Sequence, residues 1–264
     1  MTETFNIVYI GDVIGRPGRR ALGDFMPELL RRYAPQALIA NGENAAGGFG
    51  ITPEVAGELR ALGVDVITSG NHIWDKREII DYIDGDARLL RPLNFPADNP
   101  GSGSCILRAP GGVKVGVINV VGRVFMPPVD CPFLAVSARV EMIREETPVI
   151  IVDLHAEATS EKVAMAHYLD GRVTAVIGSH THVQTSDERV LAEGTAAITD
   201  AGMTGPMDSV IGVEKDVIVR KFVSGMPERY GVAKKGLEVQ GLCVTVDSKT
   251  GRAVAVERIK EAIK

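Results

Sequence analysis

The sequence has few cysteines and none of the spacing that would put them to structural use. Its 264 residues contain three cysteines, Cys105, Cys131 and Cys243, which are odd in number, widely separated and free of any Cys-x-x-Cys pair. This pattern predicts buried thiols in a reducing compartment. It argues against a disulfide framework and against a metal site built from thiolates.

Long apolar runs and a strong net charge are also missing. No segment approaches the roughly 18 consecutive apolar residues of a membrane span, and residues 1–6 lack the basic start and apolar core of a signal peptide. The 29 basic and 34 acidic residues give a formal net charge of −5, which offers no general footprint for duplex DNA or an anionic membrane. This net charge does not exclude a local basic pocket that binds a single phosphate. We predict a soluble cytoplasmic protein with neither of these two partners.

What the chain does contain is an alternation of short apolar runs and longer amphipathic segments. The apolar runs predict strands at 5–10, 37–40, 65–68, 113–121, 149–154 and 173–177. The amphipathic segments predict helices at 16–33, from Thr52-Pro53 onward, from the third strand to about residue 83, at 133–146 and at 160–169. Pro, Gly and Asn predict an irregular surface stretch at 91–112.

The C-terminal third has a different character, with strands predicted at 189–191, 195–199, 237–246 and 253–259 and joined by tight turns. Strand–helix alternation predicts parallel strands with helices on their faces, and this third predicts a second sheet or a mixed extension. No repeat or linker divides the chain, so residues 1–264 are predicted to form a single domain. Open α/β sheets place ligands beyond the carboxyl ends of their strands.

Histidine is scarce but concentrated at predicted strand ends. Four of the five histidines lie in three phrases, Gly70-Asn71-His72, Asp153-Leu154-His155 and Gly178-Ser179-His180-Thr181-His182. Imidazole binds metals and carries protons near neutral pH, so this clustering favours a reaction centre over polar residues satisfied in turns. His167 lies in a predicted amphipathic helix and is interpreted as structural.

Carboxylates and amides follow other predicted strands. Asp12 comes after the first strand, and Glu43 and Asn44 lie in a Gly-rich loop after the second. Taken alone, Asp12 could be a helix cap and the loop a set of turn formers. The glycines at 11, 15 and 18 do not make a dinucleotide-binding fingerprint, because Asp12 and Val13 interrupt it. Five strands nevertheless deliver a potential ligand to one rim: Asp12, Glu43, Asn71, His155 and His180.

The His180-Thr181-His182 sequence adds a geometric expectation. In an extended segment, side chains two residues apart point to the same side, so both rings would face one site. Two imidazoles combined with carboxylates suit Mn, Fe or Zn better than Mg. His155 adds a third imidazole, which Asp153 is placed to orient.

These residues occur in the order of the calcineurin-like metallophosphoesterase motifs. More closely, the phrases IGDVIGRPGR, NGENAAGGFGIT, SGNHIWD, HAEATSEK, GSHTHVQT and ITDAGMTGP resemble the YmdB-like branch of that superfamily, from about residue 6 to beyond residue 220. The resemblance implies an α/β fold, a four-layer αββα sandwich of two mixed sheets flanked by helices. It also implies a dinuclear metal centre and phosphodiesterase activity, including on 2′,3′-cyclic nucleotides. Two departures from the wider superfamily, Ile14 in the first motif and Glu43-Asn44 in the second, are shared with this branch.

Carried over by position, the resemblance implies two metal ions bridged by Glu43. The first ion would also take Asp12, Asn44 and His182, and the second would also take Asn71, His155 and His180. The cofactors would be two divalent or trivalent transition-metal ions per chain, Fe or Mn first and Zn as the alternative. Two cations roughly 3.5–4 Å apart can share a hydroxide and clamp phosphoryl oxygens. His72 would protonate the leaving alkoxide without binding metal, the alternative being a structural hydrogen bond.

The substrate is therefore expected to be a nucleotide or another phosphodiester. The motif phrases offer only Arg16 and Arg19 as nearby cations, so a singly charged diester should be preferred over a monoester. Specificity is expected to depend on the loops around Phe49, at 91–112 and at 203–206. Alternatives are a regulatory or scaffold protein with incidental turnover and, less well supported, a nicotinamide-dependent reductase. Homo-oligomer formation is left open.

Overall fold

The computed structural model describes residues 3–263. Met1, Thr2 and Lys264, the ends of the predicted domain 1–264, lie outside the described residues. The described residues form thirteen strands: β1 Thr4–Ile10, β2 Asp12–Val13, β3 Ala37–Asn41, β4 Val66–Thr68, β5 Ser104–Arg108, β6 Lys114–Val121, β7 Ile150–His155, β8 Ala175–Ser179, β9 Arg189–Val190, β10 Ala196–Ile198, β11 Met203–Pro206, β12 Leu237–Asp247 and β13 Ala253–Ala262. They also form five α-helices: α1 Gly15–Tyr33, α2 Pro53–Ala61, α3 Pro132–Arg144, α4 Thr159–Tyr168 and α5 Lys215–Ser224.

The strands form two mixed sheets. The first has seven strands in the order β2-β11-β12-β1-β3-β4, with β13 paired to β12, and the second has six in the order β5-β6-β7-β8-β10-β9. β1, β3 and β4 are parallel in the first sheet, and β6, β7, β8 and β10 are parallel in the second. The C-terminal strands β12 and β13 extend the first sheet, with β12 antiparallel to β1 and β13 antiparallel to β12. This is the mixed extension that the sequence allowed.

Three apolar cores separate four layers. Alternate residues of β1 point to opposite faces of its sheet: Ile7 and Tyr9 pack between the two sheets, whereas Val8 and Ile10 pack against α1 and α2. A third core lies between the second sheet and the helices α3 and α4, where Ile118 and Val120 of β6 meet Val136 and Val140. The predicted αββα sandwich is confirmed.

Local sequence accounts for several element boundaries. The Thr52 hydroxyl caps α2 by accepting a hydrogen bond from the Val55 backbone N–H at 3.3 Å, and Pro53 occupies the first helical position. The bend after β12 is closed by Asp247, whose carboxylate accepts hydrogen bonds from the backbone N–H groups of Lys249 and Thr250. The helix predicted from Thr52-Pro53 onward and the tight turn predicted between the last two strands are therefore both present.

The structure differs from the sequence-based expectations at three places. The helix expected up to residue 83 is replaced by two 3₁₀ turns, Arg77–Ile79 and Ile83–Gly85, because the backbone there forms i→i−3 rather than i→i−4 hydrogen bonds. The stretch 91–112 is irregular up to residue 103, as predicted, but it then forms β5, and Arg91 at its start is buried rather than on the surface. The C-terminal third also contains the helix α5, at a place where the sequence predicted neither a helix nor a strand.

No helix among residues 3–263 is long and apolar enough to cross a membrane.

Candidate metal centre

Three fully buried side chains from three strand ends meet at the shared edge of the two sheets. Asp12 begins β2 directly beyond β1, Glu43 lies two residues beyond β3, and His155 ends β7. One ligand atom from each lies within 4.8 Å of the other two, and all three residues are fully shielded from solvent. Both sheets therefore contribute to a single centre, as expected for ligands carried at the carboxyl ends of parallel strands.

Several buried oxygens at this centre have no hydrogen-bond partner. They are Asp12 Oδ1, Glu43 Oε2 and Asn71 Oδ1. Glu43 Oε2 lies 2.5 Å from His155 Nε2, but the contact lacks hydrogen-bond geometry. A buried unpaired oxygen is costly unless a donor or a cation satisfies it. Hard oxygen ligands and imidazole nitrogens that converge in this way fit one or more metal ions.

The histidine rings around the centre are each held at one nitrogen by an acceptor. His155 Nδ1 lies 2.9 Å from the Ser179 hydroxyl, and His182 Nδ1 lies 2.9 Å from the Ile211 carbonyl oxygen. His180 is turned the other way, with its Nε2 3.1 Å from the Glu157 carboxylate. Such contacts fix which ring nitrogen carries the proton. The free nitrogen of each ring is therefore the one that faces the centre.

The remaining predicted ligands surround the three buried groups. Asn44 Nδ2 lies 3.2 Å from His182 Nε2, which in turn lies 3.6 Å from Asp12 Oδ1. His180 Nδ1 lies 3.0 Å from His155 Nε2. The structure thus brings six of the seven predicted metal-site residues into one cluster: Asp12, Glu43, Asn44, His155, His180 and His182. The seventh, Asn71, directly follows Gly70, which lies against Glu43 and His155.

The electrostatics of the cluster favour positive charge. Burial lowers the pKa of His182, but the negative charge of Asp12, 3.6 Å away, outweighs burial and raises that pKa to about 9. Burial would raise the pKa of Glu43, but the charge of His155 holds it below its usual value. His180 behaves differently, because burial and the neighbouring His155 lower its pKa to about 4. The buried carboxylates thus stabilise cationic partners, and metal ions would supply the same charge.

The expected extended geometry of His180-Thr181-His182 was wrong. His180 has φ of 100° and His182 has φ of 64°, so both adopt left-handed backbone conformations that non-glycine residues rarely occupy. Such strain persists only where surrounding contacts hold it. Both rings still reach the centre, but through this turn and not through strand periodicity.

A buried ion pair supports this turn, and no role was predicted for it. Asp200 accepts hydrogen bonds from the Lys162 ammonium at 2.8 Å and from the backbone N–H and hydroxyl of Thr181 at 3.0 and 2.8 Å. Both charged side chains are almost fully shielded from solvent. They fall within the recognised phrases HAEATSEK and ITDAGMTGP, so the signal was present in the sequence.

Asp153 supports His155 through an intermediary. The Ser179 hydroxyl contacts His155 Nδ1 and donates to Asp153 Oδ1 at 2.7 Å, while the Tyr9 hydroxyl donates to Asp153 Oδ2 at 2.8 Å. The direct orientation expected from sequence is therefore replaced by a chain that includes Ser179. Burial raises the pKa of Asp153 to about 6. His167, interpreted as structural, lies exposed on α4.

His72 lies beside the cluster and is about one-third exposed. Its backbone N–H donates to Glu43 Oε1 at 2.8 Å, and its ring Nδ1 lies 2.8 Å from the Asp75 carboxylate. The ring lines a cavity of about 400 Å³ that also reaches Asn44, His180 and His182, a size within the usual range of small-molecule sites. Of the three loops expected to set specificity, only that around Phe49 lines this cavity among the described residues.

Gly70 gives a direct test of how tightly the cluster is packed. A Cβ atom at Gly70 would collide with Glu43 Oε2 and the His155 ring, so Gly70→Ala should displace both ligands. We expect the variant to lose most of its bound metal, measured by elemental analysis of purified protein. Gly57→Ala is the matched control, because a Cβ there meets nothing within 4 Å on α2. Equal metal content in the two variants would contradict the packing described.

Comparison with known proteins agrees with this geometry. The chain matches the family described as "YmdB-like protein" over residues 8–259. It is 47% identical over 253 residues to a Bacillus subtilis (strain 168) protein named 2′,3′-cyclic-nucleotide 2′-phosphodiesterase, with 96% of each chain covered.

Two solved structures resemble this fold closely. A hypothetical protein from Thermus thermophilus has a TM-score of 0.91 at 40% identity, covering 98% of this chain and 100% of its own. A structure described as a novel phosphatase from Mycoplasma pneumoniae has a TM-score of 0.93 at 32% identity, with 99% and 95% covered. The predicted resemblance is confirmed, and the chain belongs to the YmdB-like protein family.

Proposed function

We propose that this chain is a dinuclear metal-dependent phosphodiesterase that hydrolyses 2′,3′-cyclic nucleotides in the cytoplasm, with residues 1–264 acting as one catalytic domain. The observation that carries the proposal is the buried Asp12–Glu43–His155 cluster, with its unpartnered oxygens, at a cavity that His72 lines. The name of the Bacillus subtilis relative supports the substrate class. The three cysteines, all free, fit a reducing compartment.

The proposed metal ligands divide into two sets that share Glu43. One set adds Asp12, Asn44 and His182, and the other adds Asn71, His155 and His180. Iron or manganese is proposed for both positions, with zinc as the alternative. When bound, the ions supply Lewis acidity and an activated water for in-line displacement at phosphorus.

His72 is proposed to hold the proton that the leaving oxygen receives. Asp75 contacts Nδ1 of the ring at 2.8 Å, so the carboxylate orients the ring and leaves Nε2 as the atom for proton transfer. The His72 backbone N–H donates to Glu43 Oε1. The position of the proposed proton donor is therefore tied to the proposed bridging ligand.

The charges around the cavity favour a singly charged substrate. Arg16 is exposed, and the Arg19 side chain hydrogen-bonds to the Ala45 carbonyl oxygen and to Glu58, so neither arginine lines the cavity. Among the described residues, Lys221 is the one basic Lys or Arg side chain in the lining, and Glu157 opposes its charge there. A second negative charge on the substrate would therefore find little compensation beyond the proposed metal ions.

A regulatory or scaffold protein with incidental turnover is the alternative function. Its metal centre would be structural, and structural sites tend to be closed. Here the cluster opens onto a cavity beside a partly exposed histidine. The His72 variant below separates the two functions, because a scaffold does not depend on a positioned proton donor.

We expect His72→Ala to keep its metal content but to lose on the order of 10²–10⁴ in kcat on 2′,3′-cyclic AMP, the usual range for a positioned proton donor. The loss should be smaller on bis(p-nitrophenyl) phosphate, whose leaving group needs little protonation. Steady-state kinetics and elemental analysis on the same preparations check both statements. Unchanged turnover on 2′,3′-cyclic AMP would remove His72 from the reaction.

A second expectation concerns substrate charge. 2′,3′-cyclic AMP carries one negative charge and 3′-AMP nearly two at neutral pH, so the cyclic diester should be hydrolysed faster by the same metal-loaded protein. We expect the 2′ oxygen to be the leaving group, as the name of the Bacillus subtilis relative indicates for that protein. Side-by-side rates, with the nucleotide products separated by chromatography, check both points. A faster rate on 3′-AMP would refute the charge argument.

A further inference from the structure

One wall of the catalytic cavity is apolar and aromatic. Phe49 and Tyr230 both line the cavity and are 36% and 38% exposed. Their ring centroids are 6.1 Å apart, and the Phe49 ring centroid is 5.4 Å from that of His72. Aliphatic side chains complete this wall: Val210, Ile211, Val213, Ile218 and Val232. The aromatic pair thus extends the site outward from the proposed proton donor.

Backbone pairing holds the wall in place. The segments 210–214 and 231–233 are joined by hydrogen bonds from the Glu214 N–H to the Gly231 carbonyl at 3.1 Å and from the Ala233 N–H to the Gly212 carbonyl at 3.0 Å. Val232 packs on the Gly-rich loop, because a Cβ at Gly48 would strike its side chain. The wall is therefore fixed to the same loop that carries Glu43 and Asn44.

The Tyr230 ring is also positioned by a cation. Lys221 Nζ lies 5.2 Å from the ring centroid, within the range of a cation–π interaction. Phe49 approaches the same ring at an interplanar angle of 58°. Two neighbours thus hold the Tyr230 ring in place, and the residue is still more than one-third exposed. The ring therefore offers a stacking surface that loses little conformational freedom when a ligand binds.

We propose that Phe49 and Tyr230 form a nucleobase subsite, in which the base of the cyclic nucleotide stacks against the aromatic wall while its phosphate lies at the metal centre. This inference rests on the proposed function and names how the substrate is recognised. Every base has an apolar π face, so stacking on aromatic side chains is tolerant of base identity. The aliphatic remainder of the wall offers no side-chain hydrogen-bonding groups to read base edges. The subsite therefore binds purines and pyrimidines alike.

The test compares a nucleotide with a substrate that lacks the base. Tyr230→Ala should reduce kcat/KM on 2′,3′-cyclic AMP by about tenfold, mainly by raising KM, the order of magnitude of one lost stacking contact. The rate on methyl riboside 2′,3′-cyclic phosphate should not change. Tyr230→Phe should retain the wild-type preference, because it keeps the ring.

Tyr168→Ala is the matched control. Tyr168 also packs against a phenylalanine, Phe133 at 5.5 Å, and lies under an arginine, Arg172 at 5.6 Å, but it does not line the cavity. The Tyr168→Ala variant should therefore keep the wild-type kcat/KM on both substrates. Tyr230→Leu, which keeps apolar volume but removes the ring, provides a second variant should Tyr230→Ala fail to fold, and it too should lower kcat/KM on the nucleotide alone.

Equal losses on the two substrates would overturn the subsite, as would a wild-type protein that processes both equally well. If neither substrate is hydrolysed, the proposed function fails and the subsite is judged by binding of adenosine in calorimetry. Weaker adenosine binding by Tyr230→Ala than by Tyr168→Ala would then support the subsite. Absence of adenosine binding to the wild-type protein would refute it.

Discussion

The rest of the site depends on the burial of one carboxylate, that of Glu43. It is fully shielded from solvent, and a buried carboxylate is stable only when its oxygens are satisfied. One oxygen accepts the His72 backbone N–H and the other faces His155. The Asn41 carboxamide fixes the loop by accepting the Glu43 backbone N–H at 3.0 Å. Glu43 therefore sets the positions of a proposed ligand and of the proposed proton donor together.

Polar contacts beneath this carboxylate connect the two sheets. The Ser69 N–H, just beyond β4, donates to Asn119 Oδ1 of β6 at 3.0 Å, and Asn119 Nδ2 returns a hydrogen bond to the Ser69 carbonyl at 2.9 Å. Tyr9 of β1 reaches Asp153 of β7 in the same interior. Fully satisfied buried networks rigidify a core. The distance between ligands from different sheets is thereby fixed by the sandwich itself.

Short-range signals in the sequence predicted the parallel strands and the rim of ligands, whereas the four layers and the full ligand set were implied by the family resemblance. Apolar runs mark the buried strands, and the polar residues that follow them must meet at one edge once the strands are parallel. The backbone of His180-Thr181-His182 could not be predicted, since the Lys162–Asp200 pair that holds Thr181 comes from distant segments. The helix α5 and the position of Tyr230 were not predicted either, because the packing of Val232 against Gly48, which places this segment beside the site, is visible only in three dimensions.

The central claim is that Glu43 holds two metal ions at once, and metal content measures it most directly. Glu43→Gln preserves the shape of the side chain and removes its charge, and Glu146→Gln is the control at an exposed carboxylate that pairs with Lys114. Elemental analysis should find about two transition-metal ions per chain in the wild type and the control. The Glu43 variant should have lost both ions while keeping its circular dichroism spectrum. A folded Glu43 variant that retains two ions per chain would contradict the account.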